Sequence, residues 1–242
     1  MSSASHSLSV KLGALLFRFR SFTPVPVIAL GFALCWRSHI FPGPGGASLD
    51  AALNVVGLAS CSLGSLIRLI TVAAEPRGST QTRRIGANAL HTTGPYAVVR
   101  HPLYLGNALI VSGLLLITHA GPAYALVLPF FGLGYAFIIA AEERTLRANF
   151  GEAWTAWAAQ VPALFPPRFS ALPTLRPTAW RIAIRREVNP FVAWGLGATA
   201  LLYWEWWARG LLPRAEAKSL QVVMLGFVAL LVANKVWKKV SP

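Results

Sequence analysis

Acidic side chains are scarce in this sequence: eight Asp and Glu stand against 22 Lys and Arg in 242 residues. Charged residues of both signs reach only 12%, about half of what a soluble domain carries. Hydrophobic residues make up 55% and the mean hydropathy is positive, so the shortage of charge excludes an ordinary soluble enzyme. A net charge of +14 suits a nucleic-acid binder only when it is clustered on a soluble module. Here the basic residues are divided among short segments between apolar runs, and no nucleic-acid partner is expected. Cysteine is nearly missing as well. Cys35 and Cys61 both lie inside apolar runs, which excludes a secreted disulfide framework and leaves them as small packing residues. No metal site is expected. No small-residue cleavage site follows a short apolar core near the N-terminus, so that segment is expected to be retained.

Long apolar runs are abundant. They occupy about 23–41, 49–73, 103–120, 122–141, 191–208 and 219–237. Their length and low charge predict an all-α integral membrane protein with about six transmembrane helices. Ahead of them, "LSVKLGALLFRFRSF" mixes Lys11, Arg18 and Arg20 with leucine and phenylalanine, the pattern of a helix lying in the membrane interface. Four domains follow: an interfacial segment 1–22, a membrane core 23–166, a Pro/Arg-rich linker 167–190 and a C-terminal helix pair 191–242.

Basic residues lie asymmetrically about these runs. Segments 1–22, 74–102, 142–190 and 235–242 hold 17 of the 22 Lys and Arg. The intervening loops hold Arg209, Arg214 and Lys218, and Arg37 and Arg68 fall within spans. By the positive-inside rule both termini are cytoplasmic, as are the polar segments 74–102 and 142–190. The chain reads as a multi-pass protein of a bacterial inner membrane or the endoplasmic reticulum. Arg77, Arg83 and Arg84 read as loop charges meeting lipid headgroups.

Two polar segments meet the cytoplasmic ends of spans three and four. In "GPYAVVRHPLYLG", 94–106, Pro102 suits the first turn of a helix, where its missing N–H is no loss. Arg100 and His101 then stand at the positive end of that helix, suited to an anionic group. Tyr104 falls on the same face as His101. The second segment, "AEERTLRANFGEAWTAWAAQVP" at 141–162, repeats apolar residues at Leu146, Phe150, Trp154, Trp157 and Val161. Span four should therefore run on into an amphipathic cytoplasmic helix. On that wheel Glu142 joins the apolar stripe and points inward, needing a cationic partner, while Glu143 forms an exposed pair with Arg147. His6, His39 and His119 read as incidental, and Glu205 with Trp204, Trp206 and Trp207 as an interfacial anchor.

The ordered pair of motifs, Gly94 to Gly106 and then Glu142 to Pro162, resembles the isoprenylcysteine carboxyl methyltransferase family and the related phospholipid N-methyltransferases. The resemblance covers residues 49–166. It implies an enzyme that transfers a methyl group from S-adenosylmethionine to a lipophilic acceptor at the cytoplasmic membrane surface. It also implies a cofactor pocket formed by Gln81, Ala89, Leu90, His91, Tyr96, His101, Pro102, Leu103, Tyr104 and Glu142, with Arg100, Glu142 and Glu143 as catalytic candidates. S-adenosylmethionine carries a carboxylate, for Arg100, His101 or the helix N-terminus, and cationic groups, for Glu142 and tyrosine faces.

The sequence departs from the family at two places. Where the isoprenylcysteine enzymes have an Arg before the Glu pair, this chain has Phe137-Ile138-Ile139, and Trp154 and Trp157 replace a Tyr pair. An isoprenylcysteine-like carboxylate is the first acceptor, with a phospholipid amine or small thiol, or a non-enzymatic multi-pass protein, as alternatives. A carboxylate acceptor needs no base, whereas an amine or thiol would lose a proton, for which Glu143 or His101 is the candidate.

Overall fold

A computed structural model describes residues 29–30, 33, 46–75, 89–165, 179–208 and 214–240. Among the described residues the chain is entirely helical: α1 Gly46–Ala74, a 3-10 turn Gly94–Ala97, α2 Pro102–Thr118, α3 Gly121–Gln160, α4 Trp180–Ala208 and α5 Arg214–Val240. The N-terminal interfacial segment, nearly all of the first expected span and Gln81 lie outside the described residues.

The expectation of six spans is met in part. Among the described residues three helices are long and apolar enough to cross a membrane, at Ser48–Ala74, Gly121–Gln160 and Ala217–Val240. Helix α2 is apolar but has only 17 residues, about 25 Å of rise against a hydrocarbon core of about 30 Å. Helix α4 falls outside the group: its first turns carry Arg181, Arg185, Arg186 and Glu187, and Tyr203, Glu205 and four tryptophans dilute the apolar stretch that follows Pro190.

That helix also corrects the linker at 167–190, since α4 begins at Trp180. The Pro and Arg content of the segment hid a helical contact. Ala183 is fully buried in a cluster with Val72 and Ala73, which Leu69 and Leu103 border. The Ala179 N–H donates to the Ala73 carbonyl at 3.2 Å and so pins the chain just before the helix.

The chain divides into two compact units. The first holds, among the described residues, 67–75, 89–106, 129–165 and 179–183. Its apolar centre is Tyr104, Tyr135 and Ile138, bordered by Phe131, Ile139 and Leu164. Helix α3 breaks inside this unit at Gly151, whose φ of 51° and ψ of −121° only glycine adopts readily. The single amphipathic continuation expected after span four is therefore two helical pieces with a change of direction at Gly151.

The second unit holds 46–66, 107–128, 184–208 and 214–240. In it α1 and α2 approach closely. A Cβ on Gly57 would meet the Gly113 carbonyl oxygen at 2.7 Å, and one on Gly113 would meet Cys61 Sγ at 2.6 Å. Small residues let helix backbones touch where lipid offers no hydrophobic drive for association. Ser60 Oγ donates to the Leu109 carbonyl at 2.8 Å across the same contact. Trp194 Nε1 donates to Ser65 Oγ at 2.7 Å, joining α4 to α1. Asn234 Nδ2 donates to the Arg185 carbonyl and to Asn189 Oδ1, joining α5 to α4.

Two residues given no chemistry by the sequence are also corrected in this unit. His119 is 1% exposed and Glu205 4%. Their Nδ1 and Oε1 atoms lie 3.0 Å apart, so Glu205 is a buried partner of His119 and not an interfacial anchor.

Candidate functional site

The site is built where the chain enters α2. Gly94, with φ at 61°, starts the 3-10 turn, and Val99 is buried behind it. Arg100 and His101 follow, and Pro102 begins the helix. The Arg100 N–H donates to the Pro162 carbonyl at 2.8 Å, and the His101 N–H to the Ala163 carbonyl at 3.0 Å. The break at Gly151 lets residues 158–163 return to this point. The backbone N–H groups of Arg100 and His101 are therefore already satisfied by protein carbonyls.

The Arg100 side chain completes the closure. Nε donates to Glu143 Oε1 at 2.8 Å, and Nη1 donates to the carbonyls of Ala158 at 3.0 Å and Val161 at 2.6 Å. A guanidinium presents its donors in a fixed fork, and here the fork grips one carboxylate and two backbone oxygens. Glu143 is not the exposed partner of Arg147 that the helical wheel gives. Its carboxylate accepts from Arg100 and lies 3.0 Å from His101 Nε2. The wheel ignored the segment returning beyond Gly151, which brings the next layer of protein over this face.

Glu142 and Glu143 flank His101. The imidazole is 5% exposed; its Nε2 faces Glu143 and its Nδ1 lies 3.6 Å from Glu142 Oε2. Burial disfavours the charged ring, but the negative charge of Glu142 and Glu143 and the hydrogen bond to Glu143 outweigh it and raise the His101 pKa above the ordinary histidine value. The Tyr104 ring stacks on His101 with centroids 5.5 Å apart, and Tyr135 meets Tyr104 edge-on at 5.1 Å. Glu142 Oε2 is buried and accepts no hydrogen bond from the described residues.

A second group lies on the preceding loop. Tyr96 donates from its hydroxyl to Glu75 Oε1 at 3.0 Å, and its ring lies 5.7 Å from that of His91. His91 Nε2 is buried with no hydrogen-bond partner among the described residues. Glu75 is the residue that the motif comparison missed. It is the one acid between Asp50 and Glu142, and in a chain with so few acids that isolation was the available signal. Leu103 turns away from this chemistry to pack beside Val72, Ala73 and Ala183, Pro102 is buried at the helix start, Leu90 is half-buried and Ala89 is exposed.

The site thus joins Arg100, His101, Tyr104, Glu142 and Glu143, with His91, Tyr96 and Glu75 as a separate linked group. Its residues fit S-adenosylmethionine: Glu142 has a buried oxygen that lies 3.6 Å from His101 Nδ1 without a hydrogen bond and can also face a cationic group, His91 Nε2 is a buried nitrogen open to a polar one, and aromatic faces stand beside the Glu142 site.

The chain is 34% identical to the nickel-cobalt-cadmium resistance protein NccN of Alcaligenes xylosoxydans xylosoxydans over 119 residues, 49% of this chain and 52% of that protein. It is 39% identical to the cobalt-zinc-cadmium resistance protein CzcN of Cupriavidus metallidurans over 79 residues, 33% of this chain and 36% of that protein. The chain spans about half the length, or less, of these curated relatives. No solved structure matches it. Residues 53–153 match the phospholipid methyltransferase family, and they contain both the Arg-His-Pro turn and the Glu pair. That segment is similar to the phospholipid methyltransferases of the integral-membrane methyltransferase group.

Proposed function

We propose that the protein is an S-adenosylmethionine-dependent methyltransferase embedded in the membrane, with a lipophilic amine as its acceptor. The observation that carries this is the Glu142 carboxylate, held beside His101 and Tyr104 with a buried oxygen that accepts no hydrogen bond from the described residues. Bound S-adenosylmethionine would supply an electrophilic methyl group. The part played by this chain is positioning and exclusion of water: Glu142 holds a cationic group, the tyrosine faces support it, and the Arg100–Glu143–His101 cluster fixes Glu142 from behind.

The state of Arg100 favours the amine over an isoprenylcysteine-like carboxylate. Its guanidinium is committed to Glu143 and two carbonyls, and Phe137-Ile138-Ile139 offers no second cation nearby in sequence. Among the described residues an ionised carboxylate acceptor then finds no counter-charge at Arg100, whereas an amine needs only to lose a proton, with Glu142 as the base. The distribution of basic segments supports a cytoplasmic position for this chemistry and for both termini, with membrane lipids as the surrounding partners in this reading. The test is full-length protein in nanodiscs with radiolabelled S-adenosylmethionine, offered an aminophospholipid or a prenylated cysteine. Label in the aminophospholipid supports the proposal. Label only in the prenylated cysteine overturns the acceptor, and failure of the folded protein to bind the cofactor by calorimetry overturns the activity.

The two named relatives favour a setting in resistance to divalent transition metals. In that reading, deleting the gene lowers tolerance of nickel, cobalt, zinc or cadmium, and tolerance returns with the intact gene but not with Glu142→Gln. Unchanged growth of the deletion strain on all four metals refutes it.

A further inference from the structure

Asp50, His119 and Glu205 form a cluster that methyl transfer leaves unused. Asp50 lies near the start of α1, His119 in the two-residue connection after α2, and Glu205 near the end of α4. Their exposures are 8%, 1% and 4%. His119 Nδ1 is 3.0 Å from Glu205 Oε1 and 3.6 Å from Asp50 Oδ1, and one ligating atom from each residue lies within 4.8 Å of the others. Metal–ligand bonds of about 2.0–2.2 Å put neighbouring corners of a tetrahedral shell about 3.3–3.6 Å apart. The two His119 separations bracket that spacing closely.

The imidazole supplies a second, independent observation. His119 Nε2 is buried with no hydrogen-bond partner among the described residues. If the ring donates Nδ1–H to Glu205, a bare lone pair is buried on Nε2. If the proton sits on Nε2 instead, the Nδ1 lone pair faces carboxylate oxygens, which do not donate when ionised. Either neutral tautomer keeps a buried nitrogen lone pair with no protein donor, and the protonated ring buries an N–H with no acceptor. A cation at Nδ1, between the two carboxylates, takes the lone pair that faces ionised oxygens in the second of these states and leaves the proton on Nε2.

We propose that these three residues bind a divalent transition-metal ion, zinc foremost. One imidazole nitrogen with two carboxylate oxygens suits zinc or cobalt, whereas magnesium and calcium take all-oxygen shells. Three protein ligands leave a fourth position open. The ion would tie three helical elements of this unit together, so binding would stabilise the fold in proportion to metal occupancy.

The test uses the untagged full-length chain in detergent, stripped with a chelator and titrated with zinc or cobalt in the absence of methyl donor and acceptor. It therefore fails or succeeds apart from the methyltransferase reading. About one ion bound per chain, with a raised melting temperature that His119→Ala and Glu205→Gln both abolish, supports the site. No binding by the folded chain, or binding that survives both variants, overturns it. Where a variant fails to fold, the cobalt spectrum of the unaltered protein decides. Intense visible bands of a four- or five-coordinate ion at equal stoichiometry support the site, and the weak spectrum of an octahedral aqueous ion overturns it.

Discussion

Arg100 and Glu143 lie 43 residues apart in the chain and meet at 2.8 Å. The contact joins the turn before α2 to the interior of α3, and through the remaining Arg100 donors to the segment beyond Gly151. It separates the roles of two consecutive carboxylates. Glu143 is consumed in holding the site together, and in the proposed function Glu142 is the carboxylate that faces the cofactor.

Glu142→Gln is expected to abolish cofactor binding while the melting temperature stays near that of the unaltered protein, because the amide keeps the shape and loses the charge. Glu143→Gln is expected to lower stability by about 1–3 kcal/mol, the scale of a hydrogen bond to a charged group. Calorimetric titration with S-adenosylmethionine and a thermal melt on each variant separate the two. Equal effects of both variants on binding and melting would refute the division of roles.

The site should loosen as pH rises. The folded His101 pKa is raised above an unfolded value of about 6.5, so folding favours the protonated ring. Its contribution is fully present below about pH 6.5 and is lost as pH climbs through the higher folded value. Thermal melts across this range should show a component declining with pH that is absent in His101→Gln. A stability profile identical in both proteins would exclude it.

Gly151→Ala should strain the break in α3, since its φ and ψ suit glycine alone. A penalty of about 1–3 kcal/mol is expected. The turn also carries residues 158–163 back to Arg100, so methyl transfer should fall more than stability alone explains. Initial rates measured well below the melting temperature test this, and an alanine variant of full activity would contradict it.

Gly113→Ala should destabilise without touching the chemistry. The added methyl would press on the Gly57 carbonyl oxygen and Cys61 Sγ, an overpacking expected to cost about 1–3 kcal/mol. Cofactor affinity at low temperature should be unchanged. A melting temperature equal to that of the unaltered protein would show that α1 and α2 separate freely here.

The sequence by itself determined the solvent and the chemistry on offer. Long apolar runs and eight acids among 242 residues require a membrane protein, because backbone polar groups in lipid must be satisfied within helices. The Arg-His-Pro turn and the Glu pair were legible because local rules place them: proline starts a helix, and consecutive glutamates end a span. The tertiary structure alone decided which carboxylate faces which cation. A helical wheel orders side chains about one axis and says nothing of what returns from beyond a glycine break, so Glu143 was read as solvated although Arg100 and His101 bind it. The same reason hid Asp50, His119 and Glu205. Their spacing along the chain matches no motif, and only the packing of separate helices brings one imidazole and two carboxylates together in a buried place.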